Sequence, residues 1–126
     1  MNETKTFFSS ELNAVVLELN GFLKTEQFIE FALESNDLRK KHSVYKQLNN
    51  IQNMKVLTKD IQNWLEDVWF PEAKISGLKY FAFVVPNDTF GKSSMDTVNS
   101  EATAKYGINI EYFTDKEVAK QWLVSQ

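Results

Sequence analysis

Few residues in this chain are equipped for chemistry. His42 is the only histidine, and there is no cysteine. A metal centre needs several ligands acting together, and His42 has neither a cysteine nor a second histidine to join it. A serine triad would have to use His42, yet no serine stands in a nucleophile elbow. Its simplest role is a surface histidine beside Lys41. The four glycines are scattered singly, so no phosphate-cradling Gly-x-Gly-x-x-Gly or P-loop is present. Asp88 is the carboxylate to single out, because it follows the most apolar run in the chain, residues 80–85. In open parallel sheets, ligands bind beyond the carboxyl ends of the strands. That rim would hold Asn20, Asn50, Gln52, Asn53, Asn87, Asp88 and Lys92. An amide-rich rim can hold a small polar ligand. It is also what ordinary turns look like, since Asn and Asp favour tight turns. No catalytic residue, metal or cofactor is expected.

The elements that would position such a rim follow from periodicity. Residues 80–85 are too few for a buried helix and rich in aromatic and β-branched side chains, which predicts a central strand. Residues 6–8 suggest a short edge strand, with a turn at 10–13. Residues 14–19 predict a firm strand, and Glu18 on its second face marks that face as partly wet. A helix is expected over 25–41, capped by Thr25, with an apolar stripe of Phe28, Phe31, Ala32 and Leu38. Arg39, Lys40 and Lys41 fall in its last turn, where cations complement the dipole on a solvated face. They could instead form an anion or partner site.

A strand at 44–48 should follow, with Lys46 near an edge of the buried region. After it comes an amide-rich loop. Thr58 caps a second helix with a stripe of Ile61, Trp64, Leu65 and Val68, which Pro71 should end at Phe70. Trp69 and Phe70 do not both fit that stripe. Either they pack beneath the Pro71 loop or they line an apolar groove. A third helix is expected over 94–106, with Gly107 in the left-handed position after it. A strand at 108–112 comes next. A last helix would be capped by Thr114 and Glu117, stapled by Phe113 to Val118, and docked by Val118, Ala119, Trp122 and Leu123. The alternation predicts an α/β domain with a mostly parallel five-stranded sheet, an antiparallel N-terminal edge strand and four helices mainly on one side.

Composition narrows the class further. The chain has 126 residues and suits one domain, 1–126. Its net charge of -3 argues against nucleic acid, because phosphate contacts need clustered Lys and Arg. No stretch approaches the ~20 apolar residues of a membrane span, and residues 1–10 show no secretory pattern. A cytoplasmic protein is the simple expectation.

The order of elements resembles the STAS fold of the bacterial anti-sigma-factor antagonist SpoIIAA. More narrowly, it is similar to the small stand-alone SpoIIAA-like proteins, grouped with STAS and the lipid-carrying CRAL-TRIO domains. The residues that carry the likeness span nearly the whole chain. They are Leu19-Asn20-Gly21-Phe22, Asn63-Trp64-Leu65, Trp69-Phe70-Pro71-Glu72-Ala73 and Gly77-Leu78-Lys79, then Pro86-Asn87-Asp88-Thr89-Phe90-Gly91-Lys92, Phe113-Thr114-Asp115 and Gln121-Trp122-Leu123. These are packing and turn signatures. The antagonist's phosphorylatable Asp-Ser-Ser-Gly segment has no counterpart in residues 54–60, where Thr58 is the nearest hydroxyl; a cap role is sufficient for it, with a phosphosite as the lesser alternative.

The resemblance implies a non-enzymatic protein-interaction or regulatory module, with a protein partner or a homodimer. Its surfaces would be the open sheet face or the second helix, with Trp69, Phe70 and Phe83 as candidate groove or interface residues. The alternative is a small-molecule or lipid carrier of CRAL-TRIO type, which requires an enclosed apolar cavity.

Overall fold

The computed structural model describes residues 4–21, 23–54, 59–85 and 105–126. Strands β1 (Lys5–Ser9) and β2 (Ala14–Gly21) form an antiparallel hairpin. Asn13 turns it with a φ of 52°, a left-handed conformation that Asn tolerates. Strands β3 (Lys46–Met54), β4 (Tyr80–Val84) and β5 (Asn109–Phe113) then add in parallel, in the order β1-β2-β3-β4-β5. This is the mostly parallel five-stranded sheet with an antiparallel N-terminal edge that the alternation predicts. Right-handed crossovers between strands laid down in sequential order all pass over the same face. Helix α1 (Thr25–His42) joins β2 to β3 on that face, and a second helical run joins β3 to β4 on it too.

That second run departs from expectation. It comprises α2 (Lys59–Trp64), a π-helical turn (Leu65–Trp69) and α3 (Phe70–Ile75). Pro71 therefore does not end the helix at Phe70. The Phe70 N–H bonds back to the Leu65 carbonyl, five residues away, which widens the turn. Pro71 falls at the changeover into α3, within the first turn, where a residue without an N–H is tolerated. The extra residue in the wide turn brings Leu65, Trp69 and Phe70 inward together, leaving each no more than 6% exposed. This resolves the conflict over Trp69 and Phe70 in favour of packing.

Strand β3 is longer than expected. The segment containing Asn49, Asn50, Gln52 and Asn53 is strand and not loop. Its backbone pairs with β2 through Asn53 and with β4 through Asn50, and ladder bonds of that kind override the turn preference of amide side chains. The last helix, α4 (Lys116–Val124), is no crossover and packs on the opposite face, through Ala119 and Leu123. Its cap is Asp115, not Thr114: the Asp115 carboxylate accepts the Glu117 N–H at 2.8 Å. Val118 stays 48% exposed, and Phe113 packs on Trp122. Gly107 has the expected left-handed φ, 70°. The helix expected over 94–106 lies outside the described residues except for its end.

The two sheet faces hold separate cores. Under α1, α2 and α3 lie Leu17, Leu19, Ile51, Phe81 and Phe83. Under α4 lie Ala14, Val16, Leu48, Ala82 and Val84. Glu18 opens onto the α4 face and meets Lys116 Nζ at 2.7 Å, so the one carboxylate on that strand is paired at the rim.

Candidate functional site

The polar rim is only partly visible. Asn87, Asp88 and Lys92 lie outside the described residues, as does Thr58. Asn50, Gln52 and Asn53 sit on β3, where two of the three are tied into the fold. Asn50 Oδ1 accepts the Gln52 N–H at 3.1 Å, and Gln52 Nε2 donates to the Thr114 carbonyl at 2.9 Å. The second bond staples the end of β3 to the turn that begins α4. Asn53 is exposed.

Trp69, Phe70 and Phe83 are brought together, but inside the protein. All three are at most 2% exposed, so none offers an interface in the folded state. Burial of such rings is the favourable outcome, worth roughly 1.5–3 kcal/mol each. Together with Phe28, Ile51 and Phe81 they line a small apolar cavity between the sheet and the helices, of about 20 Å³ measured to the centre of a water molecule. That is room for about one water. Ligand pockets need about 300–1,000 Å³, so this cavity does not meet the demand of the carrier reading.

The most unusual chemistry is one that sequence reasoning placed wrongly. Arg39 does not lie on a solvated face; it is fully buried, as are Ser35 and Asn36 (3% exposed). The Arg39 guanidinium donates to Gln47 Oε1 and Asn36 Oδ1, to Ser76 Oγ at 3.0 Å and to the Ser35 carbonyl at 3.5 Å. Gln47 Nε2 passes the network on to Asn49 Oδ1 at 2.9 Å. The Trp69 ring lies 5.5 Å from the guanidinium carbon, and its Nε1 donates to the Ala32 carbonyl at 2.8 Å. No carboxylate pairs with Arg39 among the described residues, and desolvation pulls its pKa well below the usual guanidinium value, to about 9. It stays charged at neutral pH, held by neutral oxygens.

Among the described residues, two buried donors, Arg39 Nε and Asn36 Nδ2, have no hydrogen-bond partner. The arrangement ties the end of α1 to β3 and to the exit of α3. The signal for it was present: Phe28, Ala32, Ser35, Asn36 and Arg39 follow helical spacing. A stripe defined by apolar residue type alone leaves out its polar members.

His42 stacks on Phe8, with ring centroids 3.9 Å apart and planes within 6°. It is exposed and belongs to no ligand cluster: among the described residues no three His, Cys, Asp or Glu converge as a metal would need. Also among the described residues, no helix is long and apolar enough to cross a membrane.

No protein-family model matches the chain, and no curated protein does. Among solved structures it is similar to an uncharacterized protein of the DUF3478 family, with a SpoIIAA-like fold, from Shewanella loihica PV-4. The TM-score is 0.57 at 16% identity, over 96% of this chain and 92% of the other. Coverage of that extent joins the observed strand order and the helices on their two faces, and the chain has the SpoIIAA-like fold.

Proposed function

We propose that the protein is a non-enzymatic interaction or regulatory module of STAS-like type, working through the outer side of α1 and of the helical run α2-π-α3. The observation that carries this reading is how that run divides its apolar residues. Leu65, Trp69 and Phe70 face the core, while Val68 and Ile75 stand 40% and 79% exposed on the outside. Leu33 of the neighbouring α1 is 40% exposed as well. Apolar side chains left in water on adjoining helices favour a partner over a substrate. The buried polar groups around Arg39 support the reading from the other direction, since most of their hydrogen bonds are spent on holding α1, β3 and α3 together. Residues 54–60 lack the Asp-Ser-Ser-Gly segment, so the module works without that phosphorylation switch.

The test is native mass spectrometry of the untagged protein from its own cells, beside a Val68→Asp, Ile75→Asp variant. A co-purified protein or a homodimer is expected for the natural chain, lost in the variant while its circular dichroism is unchanged. A metabolite or lipid retained equally by both proteins, with no protein partner, would sink the reading.

A further inference from the structure

The exposed apolar residues are not scattered. Lys40 Nζ of α1 meets Glu72 Oε2 of α3 at 3.6 Å, which identifies the flanks on which the two helices face each other. Leu33 stands seven residues before Lys40, two turns along the same flank of α1. Val68, in the π-helical turn, and Ile75, at the end of α3, stand exposed on the outside of the run on either side of Glu72. Between these flanks the Trp69 indole reaches the Ala32 carbonyl and closes the floor. Leu33, Val68 and Ile75 stand exposed on the outer sides of the two helical runs, along the seam that these contacts define.

Its outer rim is acidic. Glu26, Glu30, Glu34 and Asp37 are exposed along α1, and Asp67 is exposed beside Val68. Among the described residues, none of these five forms an ion pair. Spaced three or four apart on one helix, the four of α1 repel one another. Lys24 stands at the start of α1, and Lys41 and Lys74 stand where α1 and α3 finish.

We infer that a groove along this seam docks an amphipathic helical segment of a partner protein, with an apolar stripe for Leu33, Val68 and Ile75 and Lys or Arg residues for the acidic rim. Helix-in-groove recognition uses apolar anchors at this spacing, and complementary charge selects the partner. A second copy is the poorer occupant. It would set the same acidic rim against itself, in a chain of net charge -3. The inference rests on the interaction-module reading above and adds the surface and the class of partner.

The test uses the full chain and two synthetic amphipathic peptides of about 14 residues, long enough for four helical turns. Both carry Leu at i, i+3, i+4 and i+7. One has Lys and Arg at the remaining positions, the other Glu. Amide chemical shifts of the labelled protein report where each binds. The basic peptide should shift Leu33, Val68 and Ile75, bind at least roughly tenfold more tightly than the acidic one, and weaken with salt. Val68→Asp should cost roughly tenfold in that affinity, and Val68→Ser, which adds no charge, should cost part of it.

Equal binding of the two peptides, shifts centred elsewhere, or an unaffected Val68→Asp variant would overturn the inference. So would a dimer of this chain occupying the groove. A native partner that co-purifies but cross-links to another face removes the groove and leaves the broader reading standing. Absence of any protein partner removes the broader reading first.

Discussion

On one face of the sheet Phe81 and Phe83 share their layer with Gln47 and Asn49; on the other, Val16, Leu48, Ala82 and Val84 meet Ala119 and Leu123 of α4. The first face is built from large rings and an interior cation. The second has small and branched side chains at its centre, with Phe7, Tyr80, Phe113 and Trp122 packed around them, and its buried charges are Lys46 and Glu18, the latter paired with Lys116. A single short helix covers the second face, and alanines at 14, 82 and 119 let it approach closely. The first face must hold two long helical runs, and rings alone leave a gap there. Polar contacts then fix the angle of α1 in a way that non-directional packing does not. The difference teaches that burial supplies the stability of both faces, while directional bonds are concentrated where two layers need a fixed register.

Substitutions can break this contrast. The largest effect is expected from Trp69→Ala, which removes a buried ring, its bond to Ala32 and its cover over Arg39. It should lose about 3–5 kcal/mol in urea unfolding. A loss near 1 kcal/mol would show that the face collapses to fill the space. Leu123→Ala on the α4 face should lose about 2–4 kcal/mol, and a value matching Trp69→Ala would erase the asymmetry.

Arg39→Met keeps the volume but orphans Gln47 Oε1 and Asn36 Oδ1, for a loss of about 1–3 kcal/mol. The triple change Arg39→Met, Asn36→Leu, Gln47→Leu should recover much of it, since apolar replacements leave nothing unpaired. If it does not, the network carries more than local satisfaction. Arg39 also gives a pH signature. Its folded pKa of about 9 lies well below its unfolded value, so the unfolded chain binds more protons once the pH rises past about 9. The natural protein should therefore gain stability relative to Arg39→Met as pH rises from about 9, with no such divergence between pH 7 and 9. Urea midpoints of the two proteins at pH 7, 8.5 and 10 check this. The smallest effect belongs to the rim of the α4 face: Lys116→Ala should cost about 0.2–1 kcal/mol, and less at high salt.

Much of this contrast could be read in the chain, and the failures have a common cause. Strands β1, β2, β4 and β5 emerged within a residue or two of their limits, because alternation and β-branched content agree there with tertiary pairing. Strand β3 was cut short because Asn49, Asn50 and Asn53 prefer turns when judged alone. Arg39 was sent to the surface because a charged residue at a helix end usually lies there. In both cases local preference pointed one way and long-range hydrogen bonding the other. Of the candidate residues, Trp69 and Phe70 were flagged for the right reason, as two rings competing for one stripe. A wider turn was the solution that a strict 3.6-residue period could not represent.

That turn makes the helical run from Lys59 to Ile75 a sequence with an inserted residue absorbed inside it. Ile61 and Leu65 obey one register, and Phe70 and Ala73 obey a second one displaced by a single position. An alignment of this stretch to a plain α-helix therefore needs its gap in mid-helix, where gaps are ordinarily penalised. Conversely, deleting Asp67 would straighten the helix and rotate everything after it by about 100°. Ala73 would then swing out of the core. The surface offered by α3 is thus specified by a residue that touches neither the core nor the groove floor.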